Sequence, residues 1–242
     1  MKEKPNKKVM DERMKPFVVR TTARSVRRRN TMLRVFGIAL LILVLLLGVF
    51  YALSAFVNKA GNFTVWISDE NLNQITLSDT ADFEKCSTLL EADIIPQMDN
   101  ITKSWMPDNL DDIDGCHNGE NYIAYTFYLK NTGDNEIDYL SQIDISAVTL
   151  EADNAVRVMV IKNGEETVYA KSKKGSDEPE PDTVAFLSDT KVLENTTESF
   201  KPGAVDKYTV VIWLEGNDPE CVDNIRGGVV KMSMNFKVLE KD

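Results

Sequence analysis

Hydrophobic positions fall into two unlike patterns along this chain. Residues 35–57 read VFGIALLILVLLLGVFYALSAFV, an unbroken apolar run bounded by Val35 and Val57 and free of Asp, Glu, Lys and Arg. At about 1.5 Å per residue such a run makes a helix of roughly 34 Å, enough to cross a hydrocarbon core of about 30 Å. Beyond it, apolar residues come in short bursts bounded by Gly, Pro, Asn and Asp. These bursts are FTVWI (63–67), LNQITL (72–77), YIAYTFYL (122–129), 137–150, AVRVMVI (155–161), 165–170, 183–187, YTVVIWL (208–214) and 229–239. Alternation and β-branched or aromatic content make each a strand. LNQITL is placed to pair with FTVWI across residues 68–71. Asn163-Gly164 between two bursts predicts a hairpin, because both central positions of a type I′ turn need positive φ. Residues 81–95 read as helical or irregular up to Pro96, and 100–121 as a long polar loop. KSKKGSDEPEP (171–181) is an exposed break. The fold expected is mainly β: a single antiparallel β-sandwich, jelly-roll-like, preceded by one transmembrane α-helix.

Charge divides the chain at the same place. Residues 1–34 carry twelve Lys/Arg against three acids, a balance of +9, and residues 58–242 carry sixteen against thirty-five, a balance of −19. Lys and Arg flanking a span stay on the cytoplasmic side, so Arg24, Arg27, Arg28, Arg29 and Arg34 predict an N-terminus inside. The expected organisation is a disordered basic cytoplasmic tail (1–34), a signal-anchor helix (35–57) and an extracellular β domain (58–242). The competing reading is a cleaved signal peptide, with Ala52-Leu53-Ser54 as its processing site. The run exceeds the 7–15 residues of a usual signal core, which favours retention as a single-pass protein of the cell membrane. Nucleic acid is disfavoured as a partner by the −19 balance, and no reader motif fits the tail. The lipid bilayer is the first partner implied.

Candidate chemistry is sparse. Cys86, Cys116 and Cys221 all lie beyond the span, and Cys86–Cys116 is the favoured disulfide candidate, both residues lying in the irregular first third. Asp108, Asp111, Asp112 and Asp114 form an acidic loop of the kind that hard cations prefer, so Ca2+ is the one cofactor entertained. Aligning Gly115 with the glycine of a calcium-binding helix–loop–helix puts Leu110 at the first ligand position and Asn121 at the twelfth, and both fail. A solvated acidic loop is the plainer reading. His117 is the only histidine and sits beside Cys116, where sequence neighbours rarely have nucleophile–base geometry. H-E-x-x-H, G-x-x-x-x-G-K-[ST], G-x-G-x-x-G and G-x-S-x-G are all missing from the sequence, and nothing selects one carboxylate pair for acid–base work. No catalytic residue is assigned. Sequons begin at Asn62, Asn100 and Asn195.

Three segments, NGENYIAYTFYLKNTG (118–133), AVRVMVIKNGEETVYA (155–170) and VVIWLEGNDPECVDNIRGG (210–228), carry a family resemblance. They resemble cell-surface proteins of Gram-positive Firmicutes related to camelysin and the TasA-type biofilm-matrix β-sandwich proteins. The resemblance covers roughly residues 118–239, and Trp213 to Cys221 is its most specific part. It implies a jelly-roll-like sandwich acting outside the cell, with envelope or matrix proteins as partners. Camelysin has been described as a protease, but this sequence has no metal-binding helix motif to carry that over. The long basic tail and anchor depart from the family pattern, because a tether opposes release into a matrix. The expected role is therefore structural or interactive at the bacterial envelope. The alternatives are a sensor or assembly subunit of an envelope complex, and a hydrolase whose acids the sequence does not single out.

Overall fold

In the computed structural model, which describes residues 23–59, 63–68 and 73–239, the apolar run sits inside a longer helix. This helix, α1, spans Ala23–Lys59, 37 residues or about 55 Å. Twelve residues of the basic tail thus continue the helix, where disorder had been expected. No Gly or Pro occurs between Pro16 and Gly37, and arginine is a good helix former. The expected disorder of residues 1–22 lies outside the described residues. Side chains from Thr31 to Val49 are exposed throughout, and Thr31–Val49 is long and apolar enough to cross a membrane. Membrane anchors and signal sequences share that property.

Residues from Lys59 onward form a separate unit made of two sheets. The smaller sheet contains β1 (Phe63–Ile67), β4 (Leu89–Glu91), β7 (Ile137–Val148), β11 (Lys191–Phe200) and β13 (Val230–Leu239), in the order β11-β7-β13-β1-β4. The larger contains β2 (Ile75–Ser78), β3 (Cys86–Ser87), β6 (Tyr122–Asn131), β8 (Val156–Lys162), β9 (Glu165–Ala170), β10 (Val184–Ala185) and β12 (Val205–Leu214). Their order is β10-β9-β8-β12-β6-β2-β3, and β5 (Gly115–Cys116) adds beside β6. The fold is the mainly β sandwich read from the sequence. It departs from a purely antiparallel one at two ladders: β1 runs parallel to β13, and β10 parallel to β9.

The strand period explains the core. On β7, Ile137, Tyr139, Ile143 and Ile145 point inward, and on β13 Met232, Met234, Phe236 and Val238 do. They meet Ile123, Tyr125, Phe127 and Leu129 of β6 and Tyr208, Val210 and Ile212 of β12. Ile75 and Leu77 of β2 face this core from the larger sheet, whereas Phe63, Val65 and Ile67 of β1 face it from the smaller one. β1 and β2 therefore do not form the hairpin that their proximity in sequence predicts. Both apolar faces are buried by lying in opposite layers.

A second cluster covers the outer face of the larger sheet. Ile101, Met106 and Leu110, from the loop read as polar, pack onto Ala124, Met159, Ile161, Val211 and Trp213. This is why β6, β8 and β12 are buried on both faces and read as nearly continuous apolar runs.

Candidate functional site

Two connections, one after β12 and one between β9 and β10, build an open cleft on the larger sheet. Arg157 and Trp213 are cross-strand partners on β8 and β12, so both project to the outer face of the larger sheet. The turn after β12, residues 215–221, and the Pro-rich connection between β9 and β10 rise on either side of them. The resulting groove has a volume of about 1220 Å3 and opens to solvent, with Lys103, Arg157, Glu180, Trp213, Asp218 and Glu220 in its walls.

Its charges are held tightly. Arg157 Nη2 donates to Asp218 Oδ2 at 2.6 Å, and the Glu180 carboxylate lies 3.9 Å from the same nitrogen. Side-chain exposure is 6 % for Arg157, 7 % for Glu180 and 0 % for Asp218. Asp218 Oδ1 accepts the Glu220 backbone N–H at 2.7 Å, so one carboxylate both closes the turn and fixes the guanidinium. Lys174 N–H donates to Glu220 Oε1 at 3.3 Å, joining the two turns. Trp213 Nε1–H donates to Glu215 Oε2 at 3.0 Å. Burial raises the Glu180 carboxyl above its ordinary value, the Asp218 charge adds to this, and Arg157 opposes it. Burial likewise raises the Cys221 thiol, with the Asp218 and Glu215 charges adding. That leaves it a poor nucleophile near neutral pH.

Of the residues singled out in the sequence, Cys221 ends the 215–221 turn beside the groove, whereas the acidic loop, Cys86, Cys116 and His117 lie elsewhere and do not converge. Asp111 accepts from Thr209 Oγ1 at 2.7 Å and pairs with Lys207 at 3.4 Å, and Asp114 accepts from Tyr128 at 2.6 Å. Asp108 and Asp112 are exposed. The acidic loop is thus tied down by separate partners, because its apolar residues pin it across the sheet. Among the described residues, the one set of three carboxylates with oxygens within 4.8 Å of one another is Glu180, Asp218 and Glu220.

Cys86 and Cys116 are not joined, and Cys86, Cys116 and Cys221 are all free thiols. Cys86 pairs with Ser78, which in turn pairs with Tyr128, whereas Cys116 pairs with Tyr125. One extra strand spacing and a three-residue offset separate them by roughly 11 Å, beyond the ~7 Å a disulfide spans. Cys116 Sγ instead accepts the Asp93 N–H at 3.2 Å. His117 Nδ1 lies 2.9 Å from the Gly115 carbonyl, and its buried Nε2 has no hydrogen-bond partner among the described residues. Neither arrangement is a nucleophile–base pair. Val35 falls within α1 and is exposed, and Val57 lies near the end of that helix.

Sequence reasoning missed Arg157, Glu180, Asp218 and Glu220. DEPEP was visible only as part of an exposed break, and NDPE only as part of the Trp213–Cys221 stretch that carries the family resemblance. An arginine inside the apolar run AVRVMVI was the better signal, since a charge at a buried strand position requires a partner.

Fold and groove together define a β-sandwich with an open, charged cleft on its outer sheet face, borne by a chain with an apolar N-terminal helix. No family model and no curated protein matches the chain. Among solved structures, it is similar to β-glucosidase from Kluyveromyces marxianus in complex with glucose, at 16 % identity and a TM-score of 0.28 over 72 % of this chain. The selenomethionine-labelled form of that β-glucosidase gives 12 % identity and a TM-score of 0.25 over 69 % of this chain. The chain spans 17 % of the length of either, and at these TM-scores the likeness carries no functional argument.

Proposed function

We propose that this chain is a single-pass membrane protein whose β-sandwich works outside the cytoplasm, in a structural or protein-binding role at the cell envelope. The observation that carries this reading is the charge asymmetry about one helix. An uncharged run at residues 35–57 separates a +9 segment from a −19 domain. Retention of Lys and Arg on the cytoplasmic side then puts the β domain outside. The groove supplies the recognition element, since it sets charges of both signs around Trp213 in an open cleft.

Protease shaving of intact cells expressing the chain with different epitopes at its two ends tests this. The C-terminal epitope is expected to be lost and the N-terminal one retained in the membrane fraction. Protection of the C-terminal epitope in intact cells, with loss only after permeabilisation, overturns the orientation. Recovery of the β domain from the medium without proteolysis overturns the anchor.

A further inference from the structure

We propose that the free edge of β9 inside the groove accepts an extended, basic peptide segment of an envelope partner as an added strand. The inference rests on the protein-binding reading of the groove and names the kind of segment that fills it.

The edge follows from register. Asn163-Gly164 closes a two-residue turn, so Lys162 and Glu165 are the hydrogen-bonded pair that flanks it. Glu165 and Thr167 therefore direct their backbone groups to β8, and Glu166 and Val168 direct theirs to the opposite side. Ala170 belongs to that outward set, and its carbonyl accepts the Phe186 N–H at 2.8 Å. β10 pairs only with Tyr169 and Ala170. Among the described residues, 165–168 are thus left with one partner strand, β8.

The edge is also open to a ligand. Glu165 and Glu166 are exposed, and Thr167 and Val168 are half-buried. Residues 166–168 line the groove together with Val184, which is 50 % exposed. A sheet edge with unpaired N–H and C=O groups is a template for strand addition, and a groove beside it supplies pockets for alternate side chains. β11 is a longer edge, but none of its residues lines the groove.

Charge selects the occupant. The groove lining carries six carboxylates and four cations, a balance of −2. Each cation already has an acid: Lys103 pairs with Glu166, Arg157 with Asp218, Lys173 with Glu178 and Lys174 with Glu151. Two adjacent glutamates, Glu165 and Glu166, head the edge itself. A strand with Lys or Arg opposite them gains cross-strand pairs, whereas an acidic strand meets like charge. The −19 balance of residues 58–242 attracts the same basic partner at longer range. Val168 packs against the outer apolar cluster, so an apolar side chain suits the position opposite it.

Isothermal titration of the full chain in neutral detergent micelles with the peptide acetyl-TVTKKT-amide tests this. In antiparallel register its two lysines fall opposite Glu165 and Glu166 and its valine opposite Val168. One saturable site is expected, weakened by added salt. Two control peptides are each expected to bind at least about tenfold more weakly. One is the acidic acetyl-TVTEET-amide; the other is the basic peptide N-methylated at the lysine opposite Glu166, which keeps the charge and loses the ladder donor. Glu166→Pro removes an outward N–H and leaves the ladder to β8 its donors, so it is expected to weaken binding at least about tenfold. Glu166→Gln keeps that donor while removing the charge, and a smaller loss is expected. Amide hydrogen exchange at Glu166 and Val168 is expected to slow on binding. Near-UV circular dichroism separates loss of the edge from loss of the fold, and if Glu166→Pro disturbs the fold the N-methylated peptide decides. No saturable binding up to about 1 mM peptide, or equal binding of either control peptide, overturns the proposal. Self-association of the chain through this edge, abolished by Glu166→Pro, also overturns it. A chain that passes protease shaving but binds no peptide loses this inference and keeps its anchor. One that binds the peptide but fails shaving keeps the edge site and loses the envelope reading.

Discussion

At the scale of single residues, buried hydroxyls inside this sandwich are matched to carboxylates, and the tyrosines show it best. Tyr139 donates to Asp206 and shares a 2.7 Å hydrogen bond with Tyr208, while Asn163 Nδ2 donates to the same carboxylate at 2.8 Å. Lys162 stands 3.4 Å from Asp206 and packs over both rings. Tyr125 donates to Asp79 and Tyr128 to Asp114, each at 2.6 Å. In all four tyrosines burial is the main force raising the phenol, and a nearby carboxylate adds to it. Tyr128 is pushed up to about 12, and Tyr125, Tyr139 and Tyr208 higher still. The folded state therefore keeps four protons that the unfolded chain releases near the ordinary value of 10.0. Their stabilisation is complete below pH 10 and is lost as pH rises through 10 toward 12 and beyond. Spectrophotometric titration at 295 nm is expected to show no more than three of the seven tyrosines ionising by about pH 11. The rest are expected to appear only with cooperative alkaline unfolding. A smooth titration of all seven near pH 10 with the fold intact, followed by far-UV circular dichroism, would show that these hydroxyls are not held as described.

At the scale of elements, what the sequence made legible depends on how local the cause was. The hairpin at Asn163-Gly164 is encoded by two adjacent residues. It forms as expected, with φ of 50° and 86° and Lys162 facing Glu165. An added Cβ at Gly164 meets nothing within 4 Å, so only backbone conformation resists substitution there. Gly164→Ala is expected to cost about 1 kcal/mol, and Gly164→Val more, because a β-branched residue tolerates positive φ least. Denaturant midpoints measured at constant m check this; an unchanged midpoint for the valine variant would contradict the turn. β11 was illegible for the opposite reason. Its sequence KVLENTTESF buries only Val192, Leu193 and Phe200, since it is an edge strand with one partner, and its polar stretch carries no period. β3 and β4 were hidden in 81–95 because strands of two and three residues are too short to show alternation. The groove lies at the far end of this scale. Arg157, Glu180 and Asp218 come from β8, from the connection between β9 and β10, and from the turn after β12. Only the register that aligns Arg157 with Trp213 brings their segments together.

At the scale of the whole molecule, the proposed membrane reading makes the charges around one helix assign the two sides of the chain. A span without charges is indifferent to direction, so orientation must come from what flanks it. On the N-terminal side α1 carries Arg24, Arg27, Arg28, Arg29 and Arg34 within the same continuous helix. On the other side the domain is strongly acidic, and acids contribute little to the choice of side. On that proposed reading, orientation rests on the arginines of the N-terminal flank. Replacing all five by Gln keeps good helix formers and leaves the 35–57 run untouched. The expected result is a chain that still fractionates with membranes but inserts in mixed orientation. Part of the C-terminal epitope should then become protected from external protease. Introducing arginines in the middle of the run has a different expected effect. Leu43→Arg together with Leu46→Arg costs roughly 5–7 kcal/mol of insertion free energy. That is expected to lower membrane retention itself, without redistributing the epitope among inserted chains. If the five-Gln variant keeps uniform orientation while the double arginine variant loses the membrane, the helix inserts as argued. The side would then be chosen by something other than the juxtamembrane arginines.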